Sequence, residues 1–372
     1  FAPRYEGDYR LPDEVDRQAT AHYVQALDIR RKAHEMLAVF GGKMPHNCAT
    51  VAGGVTEHPT VDKMTSFLWR LNEIREFIDG VYIPDVVAVA EAYPDYFGIG
   101  AGCGNLLAYG VFDLDSKEPD YLRRQRLLRS GTVSTDLLLG QVEAGKIAEY
   151  VKHSWYENPS TGRYPGEGRT APQPGKDGAY SWIKAPRYDD TVCEVGPLAR
   201  MVVNYVGGNT AVKELVDPVL SHFDAGPEAL FSVLGRHAAR ALECKYVADS
   251  MADWVLQLKP GEPVYSEYTI PEEASGMGLV CGPRGALGHW IRIEDGKIAN
   301  YQCVVPTTWN ASPKDDKDRP GPIEQALIGT KVKDEENPFE IVRIVRSFDP
   351  CLACAVHVIT PKGRELGRFR IS

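Results

Sequence analysis

From Asp13 to Phe40, the residues Tyr23, Ala26, Leu27, Ala33, Leu37 and Phe40 recur at helical spacing and fall mostly on one face. Gly41-Gly42 ends the run, because a glycine just past the last turn takes the left-handed conformation that closes a helix. A helix this long has an apolar stripe to cover, so the chain is expected to build a helix-rich body. Thr60 reads as the N-cap of a second long helix carrying Met64, Leu68, Leu71, Ile74 and Ile78. More helix is expected at 84–93, from Gln141 to Trp155, and from Pro227 to Leu256, where Pro227 suits a first turn.

After Pro260 the pattern shortens. Val264–Ile270, Gly278–Cys281, Gly288–Glu294 and Lys297–Val304 read as strands, with Asp295-Gly296 as a hairpin turn. The expected fold class is therefore α+β: mainly α, with a smaller antiparallel β part late in the chain. Gly98-Ile99-Gly100-Ala101-Gly102-Cys103-Gly104 is glycine-dense but does not fit the dinucleotide fingerprint. It reads as a close-packed turn leading to a strand near Leu106–Phe112. Glu157 to Gly178, rich in Gly, Pro and charge, reads as an exposed excursion.

Composition removes several function classes. A net charge of −9 argues against nucleic acid, which demands a basic face. No uninterrupted apolar run approaches the ~18–20 residues needed to cross a bilayer, and no signal-peptide pattern is visible. The sequence opens on Phe1, so residues upstream are expected to have been removed or left undetermined. Of the eight cysteines, Cys48, Cys103, Cys193, Cys244, Cys281 and Cys303 stand alone at irregular spacings, which is not a disulfide framework.

The other two close the chain, in Asp349-Pro350-Cys351-Leu352-Ala353-Cys354-Ala355-Val356-His357. Thiols at i and i+3 can converge on one soft metal, and Pro350 fixes the backbone before the first of them. Spacing alone leaves three readings open: a metal site, a redox pair, or an accident. A structural zinc site would need a second Cys/His pair, and the lone cysteines do not supply one. A second element, Cys281-Gly282-Pro283-Arg284-Gly285-Ala286-Leu287-Gly288-His289-Trp290, fixes a turn that presents one guanidinium. That group stays charged at any working pH and offers five donors.

These two elements, with Val304-Val305-Pro306-Thr307-Thr308-Trp309-Asn310, resemble the large subunit of nickel–iron hydrogenases. So do Arg30 to His46, Gly53-Gly54-Val55-Thr56 and Glu194-Val195-Gly196-Pro197-Leu198-Ala199, in family order across nearly the whole chain. The resemblance implies a single large-subunit domain over 1–372, with a large helical-bundle body. It implies a nickel–iron centre held by four thiolates, the iron carrying carbon monoxide and cyanide. Cys351 would bind nickel terminally and Cys354 would bridge nickel and iron. A terminal thiolate can also take a proton as H2 is split. Arg284 and Asp349 match the arginine and carboxylate beside the site. His357 matches the ligand of a magnesium (sometimes iron) ion, together with the main-chain oxygen of Cys303. Glu194 and Lys184 would reach that ion's waters, or else form a buried salt bridge. His46 and His289 read as structural.

Two departures stand out. The family's other cysteine pair, in Arg-x-Cys-Gly-x-Cys, is absent, so the chain resembles a large subunit lacking its N-terminal part and is expected to be inactive alone. Residues 358–372 resemble a tail removed by a maturation protease. With too few cysteines for iron–sulfur clusters of its own, the chain is expected to need a small subunit that carries them. A periplasmic or membrane-associated location, through partner subunits, is implied ahead of a cytoplasmic one. Two other readings stay in view: a non-catalytic complex-I-like relative, and a zinc-binding scaffold.

Overall fold

The computed structural model describes residues 7–115, 117–120, 123–335 and 337–351, and beyond them the backbone of two paired strands, Val356–Ile359 and Glu365–Phe369. By contact the chain divides into two units, Phe1–Pro94 with Arg240–Ile270, and Asp95–Ala239 with Pro271–Ser372.

The first unit is built on the long helix Asp13–Gly41. Asp13, Glu14 and Asp16 in its first turn complement the helix dipole, and Gly42 at φ 80° closes its end with an N–H to the carbonyl of Ala38. Thr60 caps Val61–Phe77, its side chain accepting from the Lys63 N–H. Met36, Leu71, Ile78 and Ala248 bury together, with Phe67, Leu68 and Ile74 packed around them. The helix is as expected but its face is not. Tyr23, Leu27 and Leu37 are exposed, because the contact made within this unit is centred on Met36. Periodicity identifies a helix without identifying what covers each side. The expected strand at 264–270 is instead an extended segment with one bridge, Gly54 to Tyr265. Gly54 sits at φ 148°, and a Cβ there would lie 2.2 Å from the Val264 carbonyl.

The second unit sets short helices around small antiparallel sheets. Its centre is the strand Leu106–Ala108, fully buried, against the almost wholly buried helix Pro197–Val206. Burying a leucine such as Leu106 or Leu107 contributes about 1.5–3 kcal/mol, so this seam anchors the unit. The late sheet orders Ala274–Gly282, Gly285–Glu294 and Lys297–Val304 as a meander. Asp295 and Gly296 turn between the last two strands at φ 50° and 67°, as the Asp-Gly pair predicts.

Three expectations need correction. Residues 141–155 form no α-helix: after a 3₁₀ turn, Ala144–Lys146, Ile147–Tyr150 is a strand paired with Ala185–Tyr188, and Ile147, Glu149 and Val151 alternate inward with a period of two. The helix expected from Pro227 breaks into a 3₁₀ turn, Pro227–Leu230, and an α-helix, Val233–Leu256. Small sheets also run through the middle of the chain and not only late in it. Their strands of two to four residues are too short for periodicity to reveal.

Candidate metal centre

Gly282 pairs with Gly285, leaving Pro283 and Arg284 as a two-residue hairpin tip. The tip is held from behind. Arg200, 3% exposed on the Pro197–Val206 helix, donates to the carbonyls of Gly282 and Pro283, each at 2.8 Å. Gly285 (φ 131°) lies so close to the Glu194-Val195-Gly196 segment that a Cβ would sit 2.6 Å from the Gly196 nitrogen. Only glycine satisfies both the dihedral and the space.

In front of the tip stands Asp349. The helix Phe339–Ser347 ends there: Asp349 takes φ 50°, a conformation that a short polar side chain tolerates, and Pro350 prevents further helix. This turn aims the Asp349 carbonyl at Arg284, whose Nε donates to it at 2.8 Å while Nη2 reaches Oδ1 at 3.3 Å. Both side chains are about two-fifths exposed (42% and 41%), so the ion pair itself contributes only about 0–1 kcal/mol. Its effect is orientation: a permanent positive charge is tied down two residues before the first thiol.

Cys351 is exposed, and its N–H donates to Thr307 Oγ1 at 3.4 Å. Thr307 belongs to the short helix Pro306–Asn310. At the end of that helix, the Asn310 amide grips Val195 at both backbone atoms, accepting from its N–H (2.9 Å) and donating to its carbonyl (2.8 Å). The Val195 segment therefore braces the Arg284 turn on one side and the Thr307 helix on the other.

The described donors suit a soft metal at Cys351 and not at Cys103, Cys193 or Cys281. Burial, with Glu194 nearby, pushes the Cys103 thiol up to about 12, and burial raises Cys193 likewise. The Cys281 sulfur is buried and accepts from the Tyr109 N–H. Cys103 and Cys193 stay protonated and Cys281 is buried, whereas Cys351 is open beside a fixed guanidinium. Among the described residues no three His, Cys, Asp or Glu side chains gather as a ready metal site. Cys354 and the side chain of His357 lie outside the described residues.

A family model described as nickel-dependent hydrogenase matches residues 1–357. The chain belongs to the nickel-dependent hydrogenase family. It is 42% identical to the periplasmic NiFeSe hydrogenase large subunit of Desulfomicrobium baculatum, over 96% of this chain and 71% of that one. It is 37% identical to the uptake hydrogenase large subunit of Rhizobium leguminosarum bv. viciae, over 98% and 68%. A solved NiFeSe hydrogenase from Desulfovibrio vulgaris Hildenborough superposes with a TM-score of 0.87 at 39% identity, covering 95% of this chain and 74% of that one. The chain is thus a hydrogenase large subunit, the catalytic part of an oxidoreductase acting on H2, and a large subunit implies a small-subunit partner. Its α+β fold is that of the family. The complex-I-like and zinc-scaffold readings give way to it. No helix among the described residues is long and apolar enough to cross a membrane.

Within this hydrogenase the remaining sequence candidates separate. Glu194, 2% exposed, gives both oxygens to Arg236 at 2.7 Å, and Arg236 also donates to the Gly100 carbonyl and stacks over Phe348. Lys184 pairs instead with buried Glu149 at 3.1 Å, so Glu194 and Lys184 are not each other's partner. Burial drives the Glu149 carboxyl above its usual range, against the pull of Lys184. Cys303 is exposed on its strand opposite His289, whose Nδ1 bonds to the Tyr301 hydroxyl. Gly102 lies against the Arg236–Glu194 pair, where a Cβ would meet Arg236 Nη2 at 3.0 Å, so the glycine-dense stretch is the close-packed turn expected. Sequence reasoning missed Arg200, Arg236, Thr307 and Asn310. Their signal was a polar side chain set in an otherwise apolar block, which must find a buried partner.

Proposed function

We propose that Cys351 and Cys354 would hold the nickel of this hydrogenase, Cys354 serving the iron as well, and that Arg284 and Asp349 flank the place where H2 is reversibly split into protons and electrons. The observation that carries the reading is the pair of hydrogen bonds from Arg284 to Asp349, which fixes a guanidinium two residues from Cys351. When bound, thiolate-held nickel and iron supply a redox-active Lewis acid that polarises H2. The chain's own residues do the rest. The Cys351 sulfur is the base that takes the proton, since it is exposed, soft and close to the fixed guanidinium. Arg284 does not give up its proton, so it stabilises negative charge on that sulfur without exchanging protons itself. Asp349 keeps the guanidinium fork turned toward the site through its carbonyl and Oδ1.

The finer composition belongs to the same proposal: carbon monoxide and cyanide on iron, and a magnesium (or iron) ion held by His357 and the main-chain oxygen of Cys303. Both Glu194 oxygens accept from Arg236, which supports the buried salt bridge ahead of a place among that ion's waters. The 372 residues contain a single C-x-x-C pair, two of the four thiolates. Electrons would leave through a small subunit carrying iron–sulfur clusters. Residues 358–372 would be cut by a maturation protease, a reading supported by the family match ending at His357. A periplasmic or membrane-associated location is supported by the periplasmic relative.

Metal analysis tests the core of this. In the matured complex, Cys351→Ser and Cys354→Ser are each expected to abolish nickel retention and H2 oxidation together. Full nickel content in both variants, or zinc in place of nickel in the parent, overturns it.

A further inference from the structure

The block Glu194-Val195-Gly196-Pro197-Leu198-Ala199-Arg200 contributes no group to the chemistry proposed above, yet it touches the Arg284 turn at three points. Arg200 donates to two successive main-chain oxygens, those of Gly282 and Pro283, both at 2.8 Å. The Gly285 Cα faces the Gly196 nitrogen with no room for a side chain, and a Cβ on Gly196 would sit 3.3 Å from the Arg284 carbonyl. A two-residue hairpin tip has few restraints of its own. At its open end, among the described residues, the side chain of Arg284 is held by its bonds to Asp349, on a partly exposed surface.

We propose that Arg200 is a positioning residue for hydrogen activation: its buried guanidinium clamps the 282–285 turn and so sets where the Arg284 charge stands. The inference rests on the reading of Arg284 given under Proposed function. The physical reason is geometric. A planar fork can bond two adjacent carbonyls at once, which fixes both the height and the twist of the turn. A charge acting on a reacting centre from a fixed place loses much of its effect when displaced by about 1 Å. Arg200 itself stays out of the chemistry, since it is 3% exposed and both of its Nη atoms donate to main-chain oxygens of the turn.

The test uses the matured hydrogenase complex with R200Q, R200K and, as a control, R284K. Hydrogen–deuterium exchange is followed over residues 280–288, alongside kcat and KM for H2 and nickel content. In R200Q, exchange at the tip is expected to quicken about tenfold or more, and kcat to fall by about 10–100-fold, with KM and nickel content unchanged. R200K keeps the charge and most of the volume but not the fork, and is expected to fall between wild type and R200Q in both readouts. R284K is expected to lose kcat with tip exchange unaltered. Folded R200Q and R200K with wild-type exchange at the tip overturn the clamp. Faster exchange with wild-type kcat overturns the positioning role. Wild-type kcat in R284K overturns the reading of Arg284 instead, and is told apart because the exchange measurement does not depend on turnover.

Discussion

Replacing Glu194 by glutamine tests whether this carboxylate serves the fold or a bound ion. Both of its oxygens lie 2.7 Å from Arg236, and each side chain of the pair is 2% exposed. Glutamine keeps the shape but removes the negative charge facing the buried Arg236, which also donates to the Gly100 carbonyl and has Phe348 stacked on it. Breaking one side of such a pair costs about 3–5 kcal/mol, whereas replacing both sides with apolar residues of similar volume is close to neutral. In a unit of this size each kcal/mol moves Tm by roughly 2–4 °C, so E194Q is expected to melt roughly 6–20 °C lower. The assay is thermal unfolding of E194Q, R236M and the double variant E194M/R236M, with metal content measured in parallel. The double variant is expected to recover most of the loss. A wild-type melt for E194Q, together with a lost metal ion, would refute the structural assignment and return Glu194 to the ion's surroundings.

Two further outcomes follow from the described geometry. Burial works to raise the Asp315 carboxyl, but hydrogen bonds from Arg187 and from the Arg319 backbone overcome it and hold the group below its ordinary range. A carboxyl depressed in the fold contributes stability that is complete above its unfolded value and is lost as pH falls through the folded one. Acid unfolding of the second unit should therefore steepen below about pH 4 in the wild type, and this limb should flatten in D315N; an unchanged acid limb would sink the assignment. Thiol labelling with iodoacetamide at pH 8, read by mass spectrometry on this chain, should mark Cys48, Cys303 and Cys351 within minutes and leave Cys103, Cys193 and Cys281 unmodified until the chain unfolds. Rapid labelling of Cys193 would contradict its burial.

What the residues disclosed in advance was local. The Asp13–Gly41 helix, the Thr60 cap and the Asp295-Gly296 turn are each decided within a few residues, so their signals survive in a single sequence. The strand Ile147–Tyr150 was mistaken for helix because four residues carry too little periodicity to outweigh their flanks. The exposed side of the first helix could not be foreseen, since its cover depends on packing and not on spacing. At the site, Arg284, Asp349 and Cys351 were readable as chemistry, and the first two do meet. Their supports were not readable. Arg236 lies 42 positions from Glu194 and Asn310 lies 115 from Val195, and nothing local points from one to the other. Polar residues inside apolar blocks announced that partners must exist without saying which.

The hold on the 282–285 turn has a practical corollary. Arg200 grips main-chain oxygens, so the grip is blind to which side chain occupies position 284. Saturation mutagenesis there should sample different reactivities with the Arg200 grip retained and only the bonds to Asp349 lost, making position 284 a favourable place to retune the enzyme and position 200 a poor one.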